Sequence, residues 1–235
     1  MSIKVSVVGA SGRMGKLALE LIDAAQDLTL HSALDSRSNL TDTEGADVIF
    51  DVTKLEVSER VVAHGIEAGV PVVVGTSGWT AQKLAEVAKQ TEQRGTVVVI
   101  PNFSVGSMLA TKFAAEAARH FSTVEIVESH HARKLDSPSG TAIRTAELIS
   151  KNRESTVVVG SDQQARGQIV AGVPIHSIRM EGLSAKQEVV LGADSEVLTI
   201  SHETSSVYAY SAGILAAIRF AASAKGLHVG LESVL

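Results

Sequence analysis

The sequence is 235 residues long, 45% hydrophobic, with a formal net charge of −5 and no cysteine. That length and composition give a globular chain with room for one or two domains and exclude a disordered one. The charge balance, with no basic tract, argues against nucleic acid as the main partner. The missing cysteines exclude disulfides, thiolate catalysis and cysteine-based zinc or iron–sulfur sites.

The opening MSIKVSVVGASG turns glycine-rich after a short strand-like run and does not read as a signal peptide. The most apolar later stretch, from Ala209 to Ala222, contains Ser211, Gly213 and Arg219 and is too short to span a bilayer. The expectation is a soluble cytoplasmic protein with no membrane partner and no metal site.

Residues Ile3 to Val8 are β-branched and apolar around Lys4 and Ser6, the pattern of a buried strand. GASGRMG follows at once, with glycines at 9, 12 and 15, and Leu17 to Ala25 then repeats apolar positions at helical spacing. Strand, glycine turn and helix form the setting of a dinucleotide fingerprint. The first glycine allows the tight turn, the second lets backbone approach a pyrophosphate, and the third lets helix and strand pack closely. A second strand, Leu28 to Leu34, ends at Asp35, where an acid meets the adenosine ribose hydroxyls.

The alternation continues. Ala46 to Phe50 reads as a strand, followed by Asp51-Val52-Thr53 and a helix through Val57, Val61, Ile66 and Ala68. Val70 to Val74 is a fourth strand, closed by Gly75-Thr76-Ser77-Gly78. Trp79 to Ala88 reads as a helix with Thr80 as N-cap. Thr96 to Ile100 is a fifth strand, ending in Pro101-Asn102-Phe103. Repeated units of this length predict a Rossmann-type doubly wound parallel sheet, with ligand beyond the carboxyl ends of the strands. The expected cofactor contacts therefore lie at those ends. The first group is Gly9, Ala10, Ser11, Gly12, Arg13 and Met14, and the second is Asp35 with Arg37. Gly75, Thr76 and Ser77 follow, then Ile100, Pro101, Asn102 and Phe103.

Val105 to His120 reads as a helix crossing into a second domain, and residues 123 to 128 as a strand. The stretch EIVESHHARKLDSPSGTA, 125 to 142, then places two histidines, a lysine and a Ser/Gly/Thr helix start within twelve residues. Helix N-termini hold anions, and histidine moves protons near neutral pH. The stretch reads either as a proton donor beside a carboxylate-binding pocket or as a capped helix with two surface histidines. The helix runs to Ile149. Asn152 to Ala171 is polar and aperiodic and is expected to be a mobile loop. Val173 to Met180, Gln187 to Leu191 and Val197 to His202 are short strands of an antiparallel or mixed sheet. Tyr208 to Ala222 is a helix expected to return to the first domain.

Five strings now resemble one family: VVGASGRMG (7–15), GTSGW (75–79), PNFSVG (101–106), VESHHARKLDSPSGTA (127–142) and VLTISH (197–202). Together they resemble the dihydrodipicolinate reductases of bacterial lysine and diaminopimelate synthesis, in their actinobacterial branch. The histidine string is the most specific of them. The resemblance implies hydride transfer from NADH or NADPH to a small cyclic dicarboxylate imine. It implies a discontinuous Rossmann domain, 1–103 with 207–235, and a smaller α+β domain, 104–206, with a mixed sheet that builds a homotetramer and binds substrate. It places His130 as the proton donor with Lys134 beside it, and His131, Lys134, Ser139, Gly140 and Thr141 as substrate contacts.

Three positions depart from the family pattern: Ser77 stands for a threonine, Ser137 for an alanine, and Val207 for an arginine. Two other readings remain. Another nicotinamide dehydrogenase would explain residues 1 to 103 but not the histidine string. A dinucleotide-sensing module without chemistry would leave the paired histidines and Lys134 without a role. On cofactor choice, Asp35 alone predicts NADH, while Arg37 and Arg13 can hold a 2′-phosphate, so use of both cofactors is expected.

Overall fold

A computed structural model describes residues 2–92, 94–153 and 163–235. By contact the chain divides into two units, Met1–Val105 with Val207–Leu235, and Gly106–Ser206.

The first unit begins β1 (Ile3–Val8), α1 (Arg13–Ala24), β2 (Leu28–Leu34), β3 (Val48–Asp51), α2 (Leu55–Ala68), β4 (Val72–Val74), α3 (Ala81–Thr91) and β5 (Thr96–Val99). Every residue of β3, β4 and β5 is buried. That burial is why these strands read as continuous valine and isoleucine runs rather than as alternations. Helix α1 starts at Arg13, four residues before the expected Leu17, because the turn itself supplies its first positions. Helix α2 stops at Gly69, whose φ of 69° is the left-handed cap glycine permits. Thr80 caps α3 as expected, its hydroxyl accepting from the Lys83 N–H at 3.3 Å.

The second unit contains α4 (Val105–Ala117), β6 (Thr123–His130), α5 (Gly140–Asn152), β7 (Gln168–Val170), β8 (Val173–Arg179), β9 (Ala185–Ala193) and β10 (Glu196–Thr204). The sheet order is β10-β9-β6-β8-β7, with β6 and β8 parallel and the other pairs antiparallel. The core joins Ala114 and Ala118, Ala142, Ala146 and Ile149 to Val124, Ile126, Val189 and Leu191. Arg153 closes this unit locally, donating to the carbonyls of Ala118, Phe121 and Ser122.

The loop expected over 152–171 is corrected at both ends. Asn152 is the last residue of α5, and Gln164–Arg166 form a 3-10 turn that leads into β7. Residues 154–162, the middle of that expectation, lie outside the described residues. Strand β7 is only three residues long and pairs on one side, so it carries too little pattern to be read from sequence.

The chain then returns to the first unit through a 3-10 turn, Val207–Tyr210, followed by α6 (Ser211–Ala221) and β11 (Gly226–Val229). The first sheet has the order β11-β5-β4-β3-β1-β2, and all its pairs are parallel. It has six strands where five were expected. Strand β11 was missed because GLHV is short and opens on glycine. The chain winds outward from β1 to β2 on one side and from β3 to β11 on the other, so the switch point lies between β1 and β3. Among the described residues, no helix is long and apolar enough to cross a membrane.

Candidate functional site

In the first unit the three glycines of the turn have three different reasons. Gly9 has φ 92°, and a Cβ there would stand 2.8 Å from the Val52 carbonyl oxygen just beyond β3. A Cβ at Gly15 would stand 2.2 Å from the Gly9 carbonyl oxygen, so α1 can lie on the turn only with hydrogen at that place. At Gly12 a Cβ would meet, among the described residues beyond its chain neighbours, one atom within 4 Å, the Gly9 oxygen at 3.3 Å. The protein's own packing therefore demands glycine at 9 and 15 and leaves the space beside Gly12 nearly open.

The Gly9 and Ala10 N–H groups both donate to the Leu34 carbonyl at 3.0 Å, and the Gly12 N–H donates to Gly9 at 3.0 Å. The first two donors hold the turn to β2, and the third closes the turn on itself. Gly12 caps α1 without a side-chain hydrogen bond, so the first helical N–H groups, from Arg13 onward, have no partner within the helix. Open space over a helix N-terminus suits a pyrophosphate, and the residues present fit a dinucleotide there. Asp35 follows β2 directly and is bound twice by Arg37, from its backbone N–H at 2.9 Å and its guanidinium at 2.8 Å. Those bonds hold the Asp35 carboxyl below its usual range.

Of the expected contacts at 75–77 and 100–103, the side chains of Thr76, Ile100 and Phe103 are turned inward, and Pro101 is exposed. Thr76 donates its hydroxyl to the Asp51 carboxylate at 3.1 Å and is 6% exposed. Ile100 and Phe103 are core side chains, and the Phe103 ring lies where a Cβ on Gly75 would fall. Asn102 accepts from the Ser104 N–H at 2.9 Å. Ser77 is exposed. The side chains of Thr76, Ile100 and Phe103 are thus committed to the interior, and a cofactor beside them would meet backbone.

Asp51 went unmarked in the sequence. It ends β3 beside the switch point, fully buried, accepting from the Thr53 N–H and from the hydroxyls of Thr53, Ser58 and Thr76. Burial pushes its carboxyl up, against the opposing pull of the Ser58, Thr53 and Thr76 hydrogen bonds. Trp79 reaches the same cluster through Ser58 at 3.3 Å. The carboxylate ties the loops after β3 and β4 together.

In the second unit His130 is the last residue of β6 rather than a loop residue. Its Nδ1 is 2.6 Å from Oε2 of Glu128, two residues back and on the same face of the strand. Glu128 is fully buried and also accepts from Arg179, Nη1 to Oε2 at 2.9 Å and Nη2 to Oε1 at 2.7 Å. The Ser139 N–H adds a bond to Oε1 at 3.2 Å. Burial works to raise the Glu128 carboxyl, but the bonds from His130 and Arg179 outweigh it and hold the group at about 2.

The other expected residues follow directly. His131 has a buried Nδ1 with no hydrogen-bond partner among the described residues. The Lys134 N–H closes a turn onto the His131 carbonyl at 3.0 Å, and its ammonium bonds Asp136 at 2.7 Å. Ser139 caps α5, its hydroxyl accepting from the Ala142 N–H at 3.2 Å after a cis Ser137–Pro138 bond. A Cβ on Gly140 would meet nothing within 4 Å, so the glycine leaves open space at the start of α5. Thr141 stands in that first turn. Glu128 thus joins the end of β6 to the start of α5, and one carboxylate fixes His130 and Ser139 together.

Glu128 and Arg179 were not singled out in the sequence. The available signal was parity: Glu128 falls on the same face as Val124 and Ile126, both of them core residues. A charge at a core position requires a partner.

The family model described as "Dihydrodipicolinate reductase, N-terminus" matches residues 3–103, and "Dihydrodipicolinate reductase, C-terminus" matches residues 106–235. The chain is 50% identical over 240 residues to 4-hydroxy-tetrahydrodipicolinate reductase of Clavibacter sepedonicus, covering 100% of this chain and 87% of that protein. It is 42% identical to the protein of that name from Streptomyces griseus, covering 99% and 98%. A solved dipicolinate-bound dihydrodipicolinate reductase from Paenisporosarcina sp. TG-14 superposes with a TM-score of 0.85 at 30% identity, covering 100% of both chains. A myo-inositol dehydrogenase from Corynebacterium glutamicum shares the fold alone, with a TM-score of 0.60 at 13% identity over 96% of this chain and 90% of that one.

Proposed function

The chain belongs to the dihydrodipicolinate reductase family, and on that premise we propose that it reduces 4-hydroxy-tetrahydrodipicolinate to tetrahydrodipicolinate with NADH or NADPH, a step of lysine and diaminopimelate synthesis. The observation that carries the reading within the molecule is the group of His130, Ser139 and the α5 N-terminus gathered on Glu128. A dehydrogenase of another substrate, or a nucleotide sensor, gives no reason for that group.

Loss of the 4-hydroxyl as water with reduction of the ring consumes one hydride and one proton. The bound nicotinamide supplies the hydride. His130 supplies the proton from its ring. Lys134, the unpartnered Nδ1 of His131 and the open start of α5 at Gly140 and Thr141 bind the substrate carboxylates, the lysine exchanging Asp136 for the ligand. In the first unit the α1 N-terminus and Gly12 would hold the pyrophosphate, and Asp35 and Arg37 the adenosine ribose. The first unit is accordingly the dinucleotide domain and the second the substrate domain.

The second sheet bears exposed Ile169, Ile178, Val197 and Leu198. Apolar surface of this kind is normally covered. Three further copies of the chain cover it in a homotetramer, in the cytoplasm. Light scattering tests this: about four times 24.6 kDa is expected, and the mass of a single chain rejects it.

The activity is tested by adding the condensation product of pyruvate and aspartate semialdehyde to protein with NADH or NADPH. Substrate-dependent loss of reduced-nicotinamide absorbance is expected with both. Absence of turnover with either cofactor rejects the reading.

A further inference from the structure

Arg179 lies outside every residue group used so far to bind or reduce a ligand. It ends β8, directly beside His130 in the parallel register of β6 with β8. Its guanidinium makes two bonds to Glu128 and one, at 2.8 Å, to the Asp136 carbonyl just past Lys134. One planar group therefore fixes both the carboxylate that His130 touches and the loop that carries Lys134. Bidentate arginine–carboxylate geometry holds a carboxylate in one orientation, which a lysine cannot do.

The orientation has chemical content. An ionised carboxylate only accepts hydrogen bonds, so Nδ1 of His130 is the donor across the 2.6 Å contact. The proton that His130 can give away is then the one on Nε2, which has no hydrogen-bond partner among the described residues. After transfer the ring remains as the neutral Nδ1–H tautomer, still bonded to Glu128, and the carboxylate takes up no proton. Without the guanidinium, Glu128 would be a buried anion with His130, the Ser177 hydroxyl and the Ser139 N–H left to offset it, and no permanent positive charge beside it. A proton drawn from Nδ1 toward the carboxylate would then leave a neutral ring carrying its proton on Nε2, a far weaker acid toward the substrate.

We propose that Arg179 is a positioning residue for the reduction: it holds the Glu128 carboxylate, which in turn keeps the proton on Nδ1 of His130 so that Nε2 serves the substrate. The inference rests on the reading of His130 as proton donor.

The test compares Arg179→Met, Arg179→Lys, Glu128→Gln/Arg179→Met and His130→Gln with the wild type. Three quantities are read: kcat, NADH affinity by calorimetry, and the His130 ring tautomer by nitrogen-15 NMR of histidine-labelled enzyme. For Arg179→Met we expect a fall in kcat of roughly 10- to 100-fold with NADH affinity unchanged, as for other groups that orient a catalytic histidine. The Nδ1–H tautomer is expected to lose its dominance, and Arg179→Lys to recover part of both. Wild-type kcat in Arg179→Met overturns the inference, as does a lowered kcat with the tautomer unchanged, which marks a merely structural role. Should Arg179→Met fail to fold, the double variant leaves no lone buried charge and is read by the same outcomes. His130→Gln separates the two levels. If it keeps wild-type kcat, the proton-donor reading falls and the inference with it. If it loses activity while the Arg179 variants keep theirs, the inference alone falls.

Discussion

His130 and Arg179 are neighbours across the parallel pairing of β6 with β8, and both bond the single carboxylate of Glu128, at 2.6 Å and at 2.9 and 2.7 Å. A catalytic candidate and a structural cation therefore share one buried anion, and stability and activity at this place are linked.

The link appears first in acid. Glu128 is held at about 2 against an ordinary value of 4.5. A folded value below the unfolded one means that its contribution is present above the unfolded pKa and lost as pH falls through the folded one. The contribution is on the order of 3 kcal/mol. Denaturant midpoints of wild type and Glu128→Gln should differ most near neutral pH and converge as pH falls from 4.5 toward 2. A gap independent of pH across that window would contradict this origin.

His130→Gln should lower kcat by roughly 100-fold or more, since general acid catalysis contributes about that much. NADH binding, in the other unit of the chain, should be unchanged by calorimetry. Lys134→Ala should raise KM for substrate, and lower kcat as well if its ammonium delivers a proton. Wild-type constants in either variant would remove that residue from the site.

The glycine turn separates ligand from fold. Gly12→Val should remove NADH affinity with little change in thermal midpoint, because only one atom at 3.3 Å opposes a Cβ there. Gly15→Ala should lower the midpoint, because its Cβ would stand 2.2 Å from a backbone oxygen. Calorimetry with NADH and thermal melts of both variants decide it; a stable Gly15→Ala protein, or a Gly12→Val protein that binds NADH, would fail the assignment.

Cofactor choice turns on the pair Asp35 and Arg37. The pair is exposed on the arginine side, where solvent screens it, so the guanidinium can exchange the carboxylate for a 2′-phosphate. We expect kcat/KM for NADH and NADPH to lie within about tenfold of each other. Arg37→Ala should weaken NADPH more than NADH, and Asp35→Ala should do the reverse. Equal losses for both cofactors in each variant would count against the pair as the discriminator.

Much of this was legible because parallel strands buried on both faces write themselves as apolar runs, as VIFD and TVVV do at β3 and β5. The glycine turn was legible because two of its glycines answer to backbone contacts that local spacing predicts. What local pattern could not reveal was partnership at a distance. Asp51 finds Thr76 25 positions away, and Glu128 finds Arg179 51 positions away. In the string each is one charge beside apolar residues. The strand position of His130 was hidden for the same reason, since its pairing partners, Arg179 and Ala185, lie in later strands.

The return of the chain to its first sheet bears on how the molecule is made. β5 gains its outer neighbour only when β11 arrives, and the Thr96 hydroxyl waits for a carbonyl 128 positions further along. During synthesis the nascent chain therefore holds an open β5 edge while the whole of residues 106–206 emerges. Closing that long loop is entropically costly and slow, so a ribosome-bound or C-terminally clipped chain would expose a flat run of valines to other chains. Strand β11 thus covers an edge that would otherwise be open to other chains.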